Sequence, residues 1–309
     1  ELNKLLDPKI KAFFVVNPGN PSAVALSEKT IAKIGAILKK RPDLILLTDD
    51  VYGTFVPGFR SLLGAFPYNT IGVYSYSKYF GCTGWRLGVI AVHEDNLFDK
   101  LIAQHPEPVL KKIDKRYSAL TLEPRKMRFI DRIVADSRDV ALNHTAGLSL
   151  PQQVMMALFS LYELMDTKKH YQKACMGIVK KRVEATLEGL GIEVEKNPLH
   201  DQYYGLIDFE YWARKNLGED VVKWMKENIH PLDIVFRLAE DHGIVLLNGS
   251  GFEAPDWSVR ISFANLNDHV YDDIGRAVRA VGRSYRQAYE ASKGKEAKGK
   301  EAKGKAVKA

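Results

Sequence analysis

Ser75-Tyr76-Ser77-Lys78-Tyr79-Phe80-Gly81-Cys82-Thr83-Gly84-Trp85-Arg86-Leu87-Gly88 follows an apolar run, Ile71 to Tyr74, that reads as a buried strand. Hydroxyls and a lysine straight after such a strand fall where open α/β sheets bind ligands, beyond the carboxyl ends of the strands. Upstream the arrangement recurs twice. Phe13-Phe14-Val15-Val16 runs into Asn17-Pro18-Gly19-Asn20-Pro21-Ser22, and Leu44 to Leu47 runs into Thr48-Asp49-Asp50-Val51-Tyr52-Gly53. Between these two runs Ser27 is a plausible helix N-cap, with Glu28 in the first turn. Ile31, Ile34 and Leu38 then give one apolar helix face. Leu87 to Val92 supplies a fourth strand. Apolar strands alternating with an amphipathic helix predict an α/β fold whose sheet is mostly parallel and covered on both faces.

Further along, residues 95–142 are more charged and helical in pattern, with Phe129, Ile130, Ile133 and Val134 as an apolar stripe, and read as an insertion in a large domain spanning 1–165. A long helical stretch from about Pro151 to Leu190 follows, and its part at 166–195 reads as a connecting helix. Gly205 to Phe209, Gly243 to Leu247 and Ser258 to Phe263 look like strands of a smaller α+β domain at 196–291, closed by a helix from about Val270 to Ala291. The tail 292–309 repeats Glu-Ala-Lys-Gly-Lys without a large apolar residue and reads as disordered.

Charge and cysteine content exclude several classes. The chain has 309 residues, 46% of them hydrophobic, with net charge +7. The tail contributes +5 of that charge, so a specific nucleic-acid surface on the folded part is not expected. No apolar run reaches the roughly 18 residues of a membrane span, and no signal-peptide core is present. Cys82 and Cys175 lie in no metal-ligand spacing, so no metal site is expected and a reduced thiol pair in the cytoplasm is the default.

Taken singly, each polar segment reads as an ordinary turn or helix cap. Together, in this order and with a late Arg260-Ile261-Ser262, they resemble the signature of fold-type-I pyridoxal-phosphate (PLP) enzymes, the class I and II aminotransferase family. The resemblance covers most of residues 10–290 and implies a large PLP-binding domain followed by a smaller one. It implies that Lys78 holds the cofactor aldehyde as a Schiff base and then serves as the proton-transferring base. Asp49 resembles the carboxylate that keeps the pyridine nitrogen protonated. Tyr52 and Asn20 resemble the donors to the phenolate oxygen. Ser75, Ser77 and Arg86 resemble the phosphate cradle, a role suited to the bidentate guanidinium. Arg260 resembles the clamp on the substrate α-carboxylate, and Asn20 also resembles a substrate-binding residue.

Some positions depart from the family pattern. Ala23 stands where many members have Gly, and Asp49-Asp50 replaces the commoner Asp-Glu. Only about sixteen residues precede the Asn-Pro turn, so an N-terminal part of the site is expected to be missing. Asn248-Gly249-Ser250-Gly251-Phe252 reads either as a glycine turn near the family's substrate pocket or as a hairpin turn, and Trp85 as a packing residue.

A closer resemblance, to the aspartate 4-decarboxylase group of this family, lies in Thr48 to Phe55, Tyr74 to Gly81, Ala135-Asp136-Ser137-Arg138 and Leu142-Asn143-His144-Thr145-Ala146-Gly147-Leu148-Ser149. It implies β-decarboxylation of L-aspartate to L-alanine and CO2, with side transamination, in a homo-oligomer that is at least a dimer. A plain aminotransferase, the effector domain of a PLP-dependent transcription regulator and a non-catalytic fragment are the alternatives. For the substrate β-carboxylate Arg138, Arg237 and His144 are available, though each also reads as an ordinary surface or satisfied polar residue.

Overall fold

The strand and helix signals of the first hundred residues build one sheet in the computed structural model, which describes residues 2–140, 147–193 and 196–306. The chain divides into two compact units. One comprises 1–19 and 24–172, the other 20–23 and 173–309.

In the first unit β1 (Ala12–Val16), β2 (Ile45–Asp49) and β3 (Thr70–Ser75) are parallel, with Val16 opposite Asp49 and Asp49 opposite Val73. β4 (Gly88–Val92) joins β3 antiparallel, Ser75 facing Gly88. Its direction follows from the link 76–87, which holds turns and a short 3-10 segment at Thr83–Trp85 but no crossover helix to return the chain. The ends of β1, β2 and β3 and the start of β4 therefore share one sheet edge. α1 (Glu28–Lys40) begins at the expected cap, Ser27 Oγ accepting the Thr30 N–H at 3.2 Å. Its Ile31, Ile34, Ile37 and Leu38 pack on Leu44 just before β2, on Leu46 of β2 and on Leu62 of the short α2 (Leu62–Ala65). Each such side chain stabilises the unit by about 1.5–3 kcal/mol on burial. Arg41 closes the far end of α1. Its guanidinium donates to the carbonyls of Leu5, Asp7 and Ile10 and to both oxygens of Asp43.

The insertion is helical: α3 (Leu97–Ala103), α4 (Glu107–Tyr117) and α5 (Phe129–Val140). The long helical stretch is two helices rather than one, α6 (Leu150–Met165) and α7 (His170–Leu190). Asp166 makes the break, since its two carboxylate oxygens cap the N–H groups of His170 and Tyr171 at 2.9 Å each. The boundary between the units falls within α7.

In the second unit β5 (Tyr204–Asp208) leads into α8 (Phe209–Leu217), α9 (Glu219–Asn228) and α10 (Asp233–His242). The strand expected at 243–247 shrinks to β6 (Leu247–Asn248), because Gly243 takes the left-handed C-cap conformation of α10. β7 (Ser258–Ser262) lies between β5 and β6, antiparallel to both. The last helix, α11, runs Val270–Ala306. By its sequence pattern it ends near Ala291 with a disordered tail beyond, yet the helix continues. Ala, Lys and Glu are strong helix formers, so the repeat extends a helix already nucleated by its packed part. Phe209, Trp212, Trp257, Val259, Val278 and Tyr285 are among the core side chains of this unit. No described helix is long and apolar enough to cross a membrane.

Candidate active site

The site residues of the first unit lie along the shared sheet edge. Asp49 ends β2, and its Oδ1 accepts the Val51 N–H at 3.1 Å. The carboxyl is half-buried, and burial raises its pKa against the opposing effect of that N–H. A half-buried carboxylate of this kind is stabilised by a cationic N–H placed beside it. Tyr52 is buried and begins a tight turn at Gly53. A side chain at Gly53 would run into the Phe59 ring, 2.5 Å from the added carbon.

On the neighbouring strand Ser75 ends β3 and Lys78 follows in the turn beyond it, half-buried. Ser75 Oγ donates to Ser77 Oγ at 2.9 Å and to the Leu87 carbonyl at 3.3 Å. Thr83 Oγ1 donates to the Ser77 carbonyl at 3.2 Å, and Arg86 Nη1 donates to the Thr83 carbonyl at 3.1 Å. Ser75, Ser77, Thr83 and Arg86 thus form one linked cluster. Arg86 stands in left-handed backbone (φ 55°) at the end of the 3-10 turn. Its side chain is exposed and its remaining guanidinium donors suit an anion with several oxygens.

Asn20 and Arg260 belong to the second unit, where the fold brings them together. Arg260 Nη1 donates to Asn20 Oδ1 at 3.2 Å. The guanidinium carbon lies 4.5 Å from the Tyr204 ring centroid and 4.6 Å from that of Phe252. Arg260 Nε is buried without a hydrogen-bond partner, and no described carboxylate pairs with this guanidinium. A desolvated guanidinium with an unspent donor fits a carboxylate ligand. The glycine-rich segment is not a hairpin turn. It is a 3-10 segment, Gly249–Phe252, capped by Asn248 Oδ1 from the Ser250 N–H at 2.8 Å, and it delivers Phe252 to Arg260.

Ala23 adopts φ 56°, the left-handed backbone that favours the glycine common there in the family pattern. Trp85, expected to pack, is 44% exposed. Asp136 is held within the insertion by Tyr117 Oη at 3.0 Å and Arg116 Nε at 2.9 Å. Arg237 donates to Ser284 Oγ and Asp241. Leu142-Asn143-His144-Thr145-Ala146, and with it His144 as a partner for the substrate β-carboxylate, lies outside the described residues. Neither cysteine forms a disulfide, and burial pushes the Cys82 thiol up. Among the described residues no cluster of His, Cys, Asp or Glu could hold a metal ion.

The linking role of Thr83 and the aromatic pair around Arg260 escaped the sequence reading. Thr83 carries a faint signal, a hydroxyl three positions before Arg86. Tyr204 carries none, because its contact depends on strand register, Leu206 standing opposite Arg260 and Tyr204 opposite Ser262.

The donor set fits pyridoxal phosphate. It offers an amine for an aldehyde (Lys78), a half-buried carboxylate for a ring nitrogen (Asp49), and hydroxyls with a guanidinium for a phosphate.

A family model described as "Aminotransferase class I and II" matches residues 1–278. The chain is 48% identical over 292 residues to a Pseudomonas sp protein named bifunctional aspartate aminotransferase and L-aspartate beta-decarboxylase, covering 94% of this chain and 55% of that one. Among solved structures, an aspartate aminotransferase from Rhodobacter sphaeroides matches with TM-score 0.61 at 17% identity, over 93% of this chain and 61% of the other. An aspartate aminotransferase from Thermus thermophilus with maleate matches with TM-score 0.60 at 17% identity, over 91% and 60%. The structural likeness concerns the fold. The chain spans about half the length of the curated relatives it matches most extensively.

Proposed function

Because the chain belongs to the class I and II aminotransferase family, whose enzymes use pyridoxal phosphate, we propose that it carries the catalytic lysine of an enzyme converting L-aspartate to L-alanine and CO2. Transamination of aspartate accompanies this reaction. The supporting observation is the 48% identity, over 94% of this chain, to a protein bearing both activities in its name.

When bound, the cofactor supplies an electron sink conjugated to the substrate amine. The chain's residues do the rest. Ser75, Ser77 and Arg86 hold the phosphate and fix the ring's position. Asp49 would keep the ring nitrogen protonated, and that cation would in turn offset the burial that raises the carboxyl pKa. Tyr52 and Asn20 donate to the phenolate oxygen. Arg260 pairs with the substrate α-carboxylate. Lys78 takes the α-proton and returns a proton to carbon. Loss of CO2 breaks the bond between the β-carbon and its carboxylate, and a proton replaces it there. A cytoplasmic homo-oligomer, at least a dimer, is the assembly and location this reading takes.

The matches to aspartate and aromatic aminotransferases favour a second reading, transamination without decarboxylation. Incubation with L-aspartate and pyridoxal phosphate, without a keto acid, separates the two. Equal yields of CO2 and alanine are expected. Oxaloacetate released without either leaves the plain aminotransferase, and no turnover at all with a loaded cofactor rejects both.

A further inference from the structure

Asp201 is a buried carboxylate that the proposed chemistry does not use. It is 1% exposed, and its Oδ2 is buried without a hydrogen-bond partner. It sits where the two pieces that grip Arg260 meet, all within the second unit. Its backbone N–H donates to the Ala23 carbonyl at 2.8 Å, which anchors the segment 20–23 that carries Asn20. Its Oδ1 accepts the Tyr203 N–H at 2.7 Å, which fixes the chain entering β5 just before Tyr204. The Tyr203 carbonyl in turn accepts the Phe263 N–H at 2.9 Å, extending the β5–β7 ladder on which Arg260 rides.

Arg260 is therefore held on two sides by groups whose placement runs through one residue. Asn20 Oδ1 takes Nη1, and the Tyr204 ring covers the guanidinium face. We propose that Asp201 is a positioning residue for the Arg260 clamp, tying segment 20–23 to the start of β5 so that Asn20 and Tyr204 present the guanidinium to a substrate carboxylate. This rests on the reading of Arg260 as that clamp.

Burial of the Asp201 carboxyl pushes its pKa up to about 7, while the N–H groups of Tyr203 and Tyr204 pull the other way. His200 beside it in sequence is held below the ordinary imidazole value, also by burial. An uncharged side chain of the same shape should therefore preserve the tie, whereas loss of the Oδ1 acceptor should not.

The test uses the full chain carrying D201N, D201A or R260K, with folding checked by near-ultraviolet circular dichroism. Hydrogen exchange of the Arg260 Nε–H is followed by nitrogen-15 NMR without cofactor, with R260K assigning the signal. Affinity for succinate, a dicarboxylate probe, is measured after loading with pyridoxal phosphate. D201A is expected to speed the exchange and weaken succinate at least tenfold each, with D201N within threefold of the parent in both. A folded D201A with unchanged exchange overturns the inference. Should D201A not fold, D201E, with the same charge and one more methylene, is held to the same tenfold criterion. If the parent shows no succinate affinity, the clamp reading itself fails, and the exchange measurement still decides whether Asp201 holds Arg260.

Discussion

Arg260 on β7 donates from Nη1 to Oδ1 of Asn20 at 3.2 Å, although 240 positions separate the two residues. The contact joins the first polar segment of the sequence to the last. It explains why residues 20–23 group with the second unit rather than with the strand they follow. If this pair receives the α-carboxylate, R260A should weaken aspartate binding by about 2–5 kcal/mol, because a desolvated charge pair is lost. R260K keeps the charge but not the planar fork, and should recover only part of the loss. Steady-state kinetics on the cofactor-loaded protein check this, with the effect expected mainly in KM. Equal KM for parent and R260A would refute the assignment.

Lys78 and Asp49 make separable predictions. K78A should develop no protein-linked visible absorbance when pyridoxal phosphate is added, and borohydride should fix no cofactor to it. D49N should still form the covalent adduct but turn over at least about a hundredfold more slowly, because the ring nitrogen loses its charge-stabilising partner. Absorbance spectra before and after reduction, with mass spectrometry of the reduced protein, read out both. Covalent labelling of K78A at another lysine would show that the nucleophile had been misassigned.

Much of this site was legible because its parts are local. Lys78, Ser75 and Ser77 follow β3 within a few residues, and Asp49 closes β2, so the sheet period and the polar run after it locate them without tertiary knowledge. The apolar cores of β1 to β4 were legible for the same reason. What escaped depends on distant partners. The direction of β4 follows from the missing crossover helix, which the run of turn residues from Tyr79 to Trp85 only hints at. The break at Asp166 was hidden because Lys168 and Lys169 fit a helix as well as a turn. Residues 243–246 look like a strand by composition, but the left-handed cap at Gly243 and the short pairing of Leu247 and Asn248 with β7 decide otherwise. Asp201 could have been suspected from its place two residues before Tyr203, where an aspartate caps the backbone of its own turn.

The burial of Asp201 also predicts a pH dependence of stability. Its folded pKa is raised to about 7, chiefly by burial, above the value of about 3.9 for an unfolded chain. The group therefore contributes stability that is fully present below about pH 4 and is lost as the pH rises through 7. D201N removes the titration. It should match the parent at pH 4 and exceed it at pH 8, by on the order of 1–4 kcal/mol. Urea unfolding at both pH values measures the difference, and parallel stability curves for the two proteins would contradict it.

Arg41 is expected to matter for stability alone. Its guanidinium joins three backbone carbonyls and Asp43 at the end of α1, and R41A leaves those groups without their donor. The cost should be about 2–4 kcal/mol, from several charge-assisted hydrogen bonds lost together. Thermal unfolding gives the number. Unchanged spectra on adding pyridoxal phosphate below the transition would show that the cofactor cradle is untouched.

Gly189 on α7 and Gly275 on α11 permit a backbone approach that no other residue allows. A Cβ on Gly275 would overlap the Thr186 carbonyl and press on the backbone at Leu190, and one on Gly189 would meet the Asp272 carbonyl. Backbone cannot rotate aside as a side chain can, so the two helices must separate. That separation would pull Ala277, Val278 and Val281 of α11 away from the core they share with Leu190, Phe209 and Trp212. G275A should therefore destabilise the protein by at least about 1–3 kcal/mol, the usual cost of overpacking, despite alanine's better helix propensity. An alanine at Gly294, with nothing within 4 Å of the added carbon, provides the contrast. G294A should leave stability unchanged or raise it slightly, up to about 1 kcal/mol. Denaturant midpoints for the two variants decide the matter, since a propensity effect moves both upward and a steric one moves them apart.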